Sequence, residues 1–135
     1  MLRTVFVFAL AMLMIAGCSQ SETVAVTGTV TLDGKPVENA EVFFNPKAGR
    51  MATGVTDATG HFSIATTKPN DGAKPGDYVV TLGEYYPAGV VPPLPKDGGQ
   101  FPSRFPPQYG DPARSPLTVH VERGAKNDFP IELKK

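Results

Sequence analysis

Few side chains in this sequence carry reactive chemistry, and they stand apart from one another. Cys18 is the only thiol, His61 and His120 are the only imidazoles, and Tyr78, Tyr85, Tyr86 and Tyr109 are the only phenols. A thiol near a chain terminus invites covalent modification, and imidazole beside phenolate is a donor set for ferric iron. A metal site needs its donors to converge, however, and the two histidines fall on separate expected strands at outward positions. Asp57 and Asp111 invite a reading as calcium ligands. Yet Asp57-Ala58-Thr59-Gly60 lacks the repeated acids of a cation loop, and Asp111-Pro112 is a turn initiator. No Ser/His/Asp set is recognisable, although such sets are geometric. No catalytic residue, metal or cofactor is therefore expected, and the chain reads as a non-enzyme.

The position of Cys18 gives it meaning. Arg3 and the amino terminus form a positive start, and residues 5–16 are an unbroken apolar run of twelve. A bilayer span needs roughly 20 apolar residues, so this run suits the core of an export signal. Directly behind it stands Ile15-Ala16-Gly17-Cys18. This resembles the lipobox of bacterial lipoproteins, with Ile15 in the place usually held by Leu. The resemblance implies a signal peptide over 1–17, a diacylglycerol thioether on Cys18 and two or three acyl chains, enough for stable membrane attachment. Residues 18–23 are then a lipidated tether, whose five residues after the cysteine reach about 17 Å at most. Ser19 is not the aspartate that retains lipoproteins in the inner membrane of enterobacteria, so an outer-membrane location is favoured over an inner one. The alternative is a plain secreted protein with an odd thiol.

Removing residues 1–17 leaves 118 of the 135 residues, with 12 Lys and Arg against 13 Asp and Glu. That is one domain with a modest core and no possible disulfide within the chain. Basic residues are scattered singly among acids, so nucleic acid is excluded as an expected partner.

From residue 24 onward the apolar pattern has period two, which predicts an all-β domain over 24–135. Val24, Val26, Gly28, Val30 and Leu32 alternate with Ala25 and three threonines, and Asp33-Gly34 turns the chain. Further strands are expected at 40–45, at 51–56 and 61–65 as a hairpin around Asp57–Gly60, at 77–82, at 117–121 and at 129–133. Pro130 lacks an N–H, so the last strand is expected at an edge. Seven short strands predict two packed antiparallel sheets.

Residues 85–116 differ in kind, holding nine of the fourteen prolines and no alternation. A loop this long is functional or disordered, and its aromatic content argues against disorder. Tyr85, Tyr86, Phe101, Phe105 and Tyr109 are the candidate binding surface, stacking on sugars or presenting an apolar platform to a protein. The alternative is that these rings fold back to cover an open edge or end of the sandwich.

Three stretches carry a further resemblance: 26–46 with its Leu32-Asp33-Gly34-Lys35-Pro36 turn, 56–64 with Asp57-Ala58-Thr59-Gly60, and Lys74-Pro75-Gly76-Asp77-Tyr78-Val79-Val80. They resemble carboxypeptidase regulatory-like domains, which implies a transthyretin-like or Ig-like antiparallel β-sandwich. The segment 107–121 is similar to small lipoproteins encoded in many copies in planctomycete genomes. Enzymes on related folds match poorly. Intradiol dioxygenases place their two histidines two residues apart, and hydroxyisourate hydrolases end in Tyr-Arg-Gly-Ser where this chain ends Ile131-Glu132-Leu133-Lys134-Lys135. The expected whole is a lipid-anchored cell-envelope protein, held outside the cytoplasm, with a non-catalytic binding or structural module. Its expected partners are membrane lipid through Cys18 and an envelope protein or glycan. The alternative function is a glycan-binding accessory lipoprotein, and a hydrolase or metalloenzyme stands behind both.

Overall fold

The computed structural model describes residues 22–135. The expected signal peptide over 1–17, Cys18 and most of the expected tether over 18–23 lie outside them. Eight strands and two short 3-10 turns make up the regular structure: β1 (Thr27–Leu32), β2 (Lys35–Pro36), β3 (Ala40–Pro46), β4 (Ala52–Val55), β5 (His61–Ser63), β6 (Gly76–Glu84), β7 (Thr118–Val121) and β8 (Asp128–Leu133). These described residues are all-β, and their strands form two sheets. The alternation in the sequence is the cause: Val26, Gly28 and Val30 are buried while Thr27, Thr29 and Thr31 are half-exposed.

In the first sheet β1 is central. β5 pairs with Thr27–Thr29 and β2 with Thr31–Leu32 along one side, while β8 covers the other side from Thr27↔Asp128 to Leu32↔Leu133. The second sheet has the order β4-β3-β6-β7 and is antiparallel throughout. Val26, Val30, Phe62, Ile64, Ile131 and Leu133 meet Val42, Phe44, Tyr78, Val80, Leu82 and Val121 in one core cluster. Phe44 is its aromatic centre, with Phe62, Tyr78 and Phe129 rings 5.6–6.4 Å away in tilted or edge-on contact.

Two expectations are corrected. The expected antiparallel pairing fails at one place, because β8 runs parallel to β1. β7 and β8 belong to different sheets, so the 122–127 connection crosses the sandwich and lays β8 down beside β1 in the same direction. Asn127 fixes that crossing: its amide donates to the Glu122 carbonyl and accepts the Glu122 N–H. Likewise the expected hairpin at 51–65 is a corner. β4 lies in one sheet and β5 in the other, with only the Thr53↔Ala65 bridge between the arms. The Asp57 carboxylate accepts the Thr59 hydroxyl and the Thr59 and His61 N–H groups, which holds the corner and pulls the acid below its ordinary pKa. Pro130 does sit in an edge strand.

The chain joins the domain at Val24, whose N–H and C=O pair with Ala73 at 2.9 and 3.0 Å. Glu22 and Lys74 form an exposed ion pair beside it. Ala73 lies just before β6, and the nine residues of β6 then run about 27 Å to the opposite end of the sandwich. The long loop begins there.

Candidate functional site

The loop over 85–116 is built onto the outer edge of β6. β7 pairs only with Gly76–Val79, the first half of that strand. Val80 donates its N–H to the Leu117 carbonyl, and its own C=O accepts the Ser115 hydroxyl. Beyond this point β7 is absent and the loop takes its place. The 3-10 turn Pro107–Gly110 lies against the last part of β6, started by prolines at 106 and 107 whose fixed φ suits it.

Two of the five candidate aromatics are structural. Phe105 and Tyr109 are 6% and 7% exposed and belong to the core cluster, so they close the sandwich and present no platform. The Tyr109 hydroxyl reaches the backbone of Lys134 at the end of β8, tying the loop to the first sheet. For these two rings the burial favours the alternative reading, in which they fold back to cover the end of the sandwich. Tyr85 is 38% exposed, Tyr86 is half-buried and Phe101 is 62% exposed. Tyr86 and Phe101 share the wall of one groove of about 820 Å³, whose other sides include Pro92, Pro102 and Pro106 and whose floor includes Leu82, Gly83 and Glu84. Tyr85 and Tyr86 also line a smaller hollow with Val90, Pro93 and Arg104.

Arg104 organises this end of the molecule, and nothing in the sequence pattern singles it out. Its guanidinium forms a two-pronged ion pair with Glu84 at 2.7 and 2.9 Å and donates to the carbonyls of Glu38 and Asn39. The Glu84 carboxylate also accepts the Arg104 backbone N–H at 2.6 Å. One residue of the loop is thus fastened to the end of β6 and to the turn between β2 and β3. Charge-assisted, bidentate bonds of this kind fix geometry as well as energy. A sequence signal for the pair is lacking because the partners are twenty residues apart with a proline-rich segment between them.

Arg114 differs from Arg104. It lines the groove, is exposed, and its guanidinium makes no hydrogen bond or ion pair among the described residues. Asp111 lines the groove too, with one carboxylate oxygen accepting the Ala113 N–H in its own turn.

The remaining candidates stay dispersed. His61 lies on β5 and His120 on β7, in different sheets and both exposed. His120 is flanked by Asp77 at 2.6 Å and Glu122 at 3.3 Å in a surface ladder. Among the described residues no cluster of three His, Cys, Asp or Glu side chains is arranged to hold a metal. None of their helices is long and apolar enough to cross a membrane. No protein-family model, curated protein or solved structure matches the chain.

Proposed function

We propose that this chain is an extracytoplasmic lipoprotein, anchored by acylated Cys18, whose two-sheet domain is a non-catalytic binding module of the carboxypeptidase regulatory-like, transthyretin-like kind. The groove between the end of β6 and the 85–116 loop is its binding face. The carrying observation is that this groove combines the exposed ring of Phe101 and the half-buried Tyr86 and Pro92 with a loop held in place by the Glu84–Arg104 pair. A concave, largely apolar site with a few fixed polar groups is the usual form of a recognition site. The two sheets and the Asp57 corner support the fold reading, and Ile15-Ala16-Gly17-Cys18 behind an apolar run supports the anchor.

The same reading gives the proposed anchor a role in orientation. Val24 is fixed to Ala73, so at most residues 19–23 separate the lipid from the domain, and the groove lies at the far end of β6. A short tether at one pole and a binding face at the other present that face away from the bilayer.

The glycan reading keeps one specific support, the open ring of Phe101 beside the amide of Gln100, a pairing suited to stacking on a sugar. Two measurements test the proposal. Alkyne fatty-acid labelling is expected in the wild type and absent in Cys18→Ala; equal labelling refutes the anchor. Binding to a panel of cell-envelope glycans and proteins is expected to fall at least about tenfold in the Tyr86→Ala, Phe101→Ala double variant, the loss of two contact rings. Undiminished binding would show that the groove is not the site.

A further inference from the structure

In the stretch Val91-Pro92-Pro93-Leu94-Pro95 every residue is a proline or stands directly before one. Proline holds its own φ at about −65° and bars the preceding residue from the helical region. The stretch is thereby driven into the extended polyproline II helix, and Pro95 stands in it with φ −59 and ψ 136. Such a helix brings every third residue to the same face, and exposure follows that period. Val91 and Leu94 are 83% and 80% exposed, Val90 and Pro93 are exposed beside them, and Pro92 and Pro95 are half-buried. Pro92 lines the groove with Phe101, so its face is the one turned to the domain. A hydrogen-bonded turn closes each end, from the Val90 N–H to the Pro87 carbonyl at 3.0 Å and from the Gly99 N–H to the Lys96 carbonyl at 3.1 Å. Between these turns the carbonyls of residues 91–95 accept no hydrogen bond among the described residues. Val90 and Pro93 share a hollow with Glu84 and Arg104, which puts the ridge at the end of the sandwich opposite Val24.

We propose that this ridge is itself a ligand, whose Val91 and Leu94 side chains enter two slots of an aromatic-lined groove on a partner protein. The proposal goes beyond the neighbouring groove and does not require it to bind anything. The chemistry of the ridge selects the occupant. Three prolines in five residues leave too few N–H groups to join a sheet edge, and the stretch carries no ring to stack on a sugar. A bilayer would accept the valine and the leucine but leave the bare carbonyls without donors. An aromatic groove meets both needs. Its ring walls form apolar slots, and a Tyr hydroxyl or Trp indole N–H at the rim donates to a carbonyl. The slots must lie about 9 Å apart, the length of one turn of the ridge. Because the prolines have already fixed the backbone, little conformational freedom is lost on docking.

The chain contains no tryptophan, so indole emission from a bound domain reports on that domain alone. The probe is a displayed library of folded domains from the source genome, panned on the full-length chain in detergent. Expected are domains with an aromatic-lined groove, whose tryptophan emission changes on binding. They are expected to bind the Val91→Ser, Leu94→Ser double variant at least about tenfold more weakly. Pro93→Ala is expected to weaken them several-fold, since alanine restores an N–H and loosens the backbone. Met51→Ser, Val55→Ser removes exposed apolar surface at β4, away from the ridge, and is expected to bind as the wild type does. The ridge double variant is expected to keep the wild-type melting temperature; a lower one would show that these side chains pack on the domain, and overturns the proposal. No enrichment, unchanged emission, or equal binding by the ridge variant overturns it as well. A loss shared with Met51→Ser, Val55→Ser overturns it as unspecific apolar adhesion. Binding of Cys18→Ala protein to phosphatidylcholine vesicles that vanishes with the ridge substitutions overturns it by making the ridge a membrane contact. Domains lost in the Tyr86→Ala, Phe101→Ala variant, with the ridge variant indifferent, overturn the ridge and leave the groove as the binding face. The reverse pattern upholds the ridge and removes these domains from the groove.

Discussion

Asp71 and Asp57 show how single carboxylates hold the connections in a sandwich without helices. Asp71 accepts the N–H groups of Thr66, Thr67 and Lys68, closing the loop between β5 and β6. The Thr66 and Lys68 amides, followed by that of Thr67, hold its pKa below the ordinary 3.8. The unfolded chain lacks these donors, so it takes up the proton at higher pH. The stabilisation is therefore complete above about the ordinary carboxyl value and is lost as pH falls through the depressed one. Urea unfolding between pH 6 and pH 2 is expected to show a shallower acid loss in Asp71→Asn than in the wild type, because an amide keeps an acceptor but does not titrate. Parallel acid limbs would remove this role from Asp71. Asp57 was legible as a turn former from Asp-x-x-Gly alone, since its bonds are local. Arg104 was not: the sequence shows a lone arginine in a proline-rich stretch, while its partners at 38, 39 and 84 are brought in by tertiary structure.

At the scale of elements, period-two alternation located the strands that bury one face, as in half-buried Val119 and buried Val121 against exposed Thr118 and His120, whereas Lys35–Pro36, exposed at both residues, carries no such pattern. Alternation carries no record of pairing. The Asp57–Gly60 turn has the same residues whether its arms pair or part, so a corner reads as a hairpin. The parallel β1–β8 pair joins Thr27 to Asp128, and no local pattern encodes a contact across that much chain. Its intimacy is visible at Gly28. An added Cβ would lie 2.3 Å from the Phe129 carbonyl oxygen and 2.4 Å from Phe62 Cζ, so the glycine makes room both for the neighbouring strand and for a core ring. Gly28→Ala is expected to destabilise the domain by about 2–3 kcal/mol or more through overpacking, read as a lowered urea midpoint. Gly34→Ala is the contrasting control: nothing lies within 4 Å of its Cβ, and the cost there comes from φ +80 alone. A small effect at Gly28 would mean that β8 can shift outward, and would make the parallel pairing an adaptable edge.

The whole molecule is polar in its layout, and β6 defines the axis. At one end lie Val24, Ala73 and the β3–β4 turn over 47–50, the last placed there because Pro46 pairs with Tyr78 near the start of β6. At the other end lie the groove, Arg104 and Gln100. The loop was recognisable in the sequence as a functional candidate, but its division of labour was not, because burial of Phe105 and Tyr109 depends on where β7 stops. Gly72 shows how firmly the chain is seated at the Val24 end: its φ is +82, and an added Cβ would collide with the Val24 carbonyl. Under the proposed anchor on Cys18, a tether no longer than about 17 Å would be shorter than the roughly 27 Å length of β6, and the domain would stand on its Val24 end. In vesicles carrying quencher-labelled lipids, a fluorophore at Ala48→Cys is expected to be quenched more strongly than one at Gln100→Cys, with the native Cys18 occupied by its lipid. A flexible insertion of about twenty residues after Ser19 should erase the difference by letting the domain tumble. Equal quenching before the insertion would mean that the short tether does not orient the domain, and a stronger signal at Gln100 would place the groove against the bilayer and make lipid, not a partner across the envelope, its nearest neighbour.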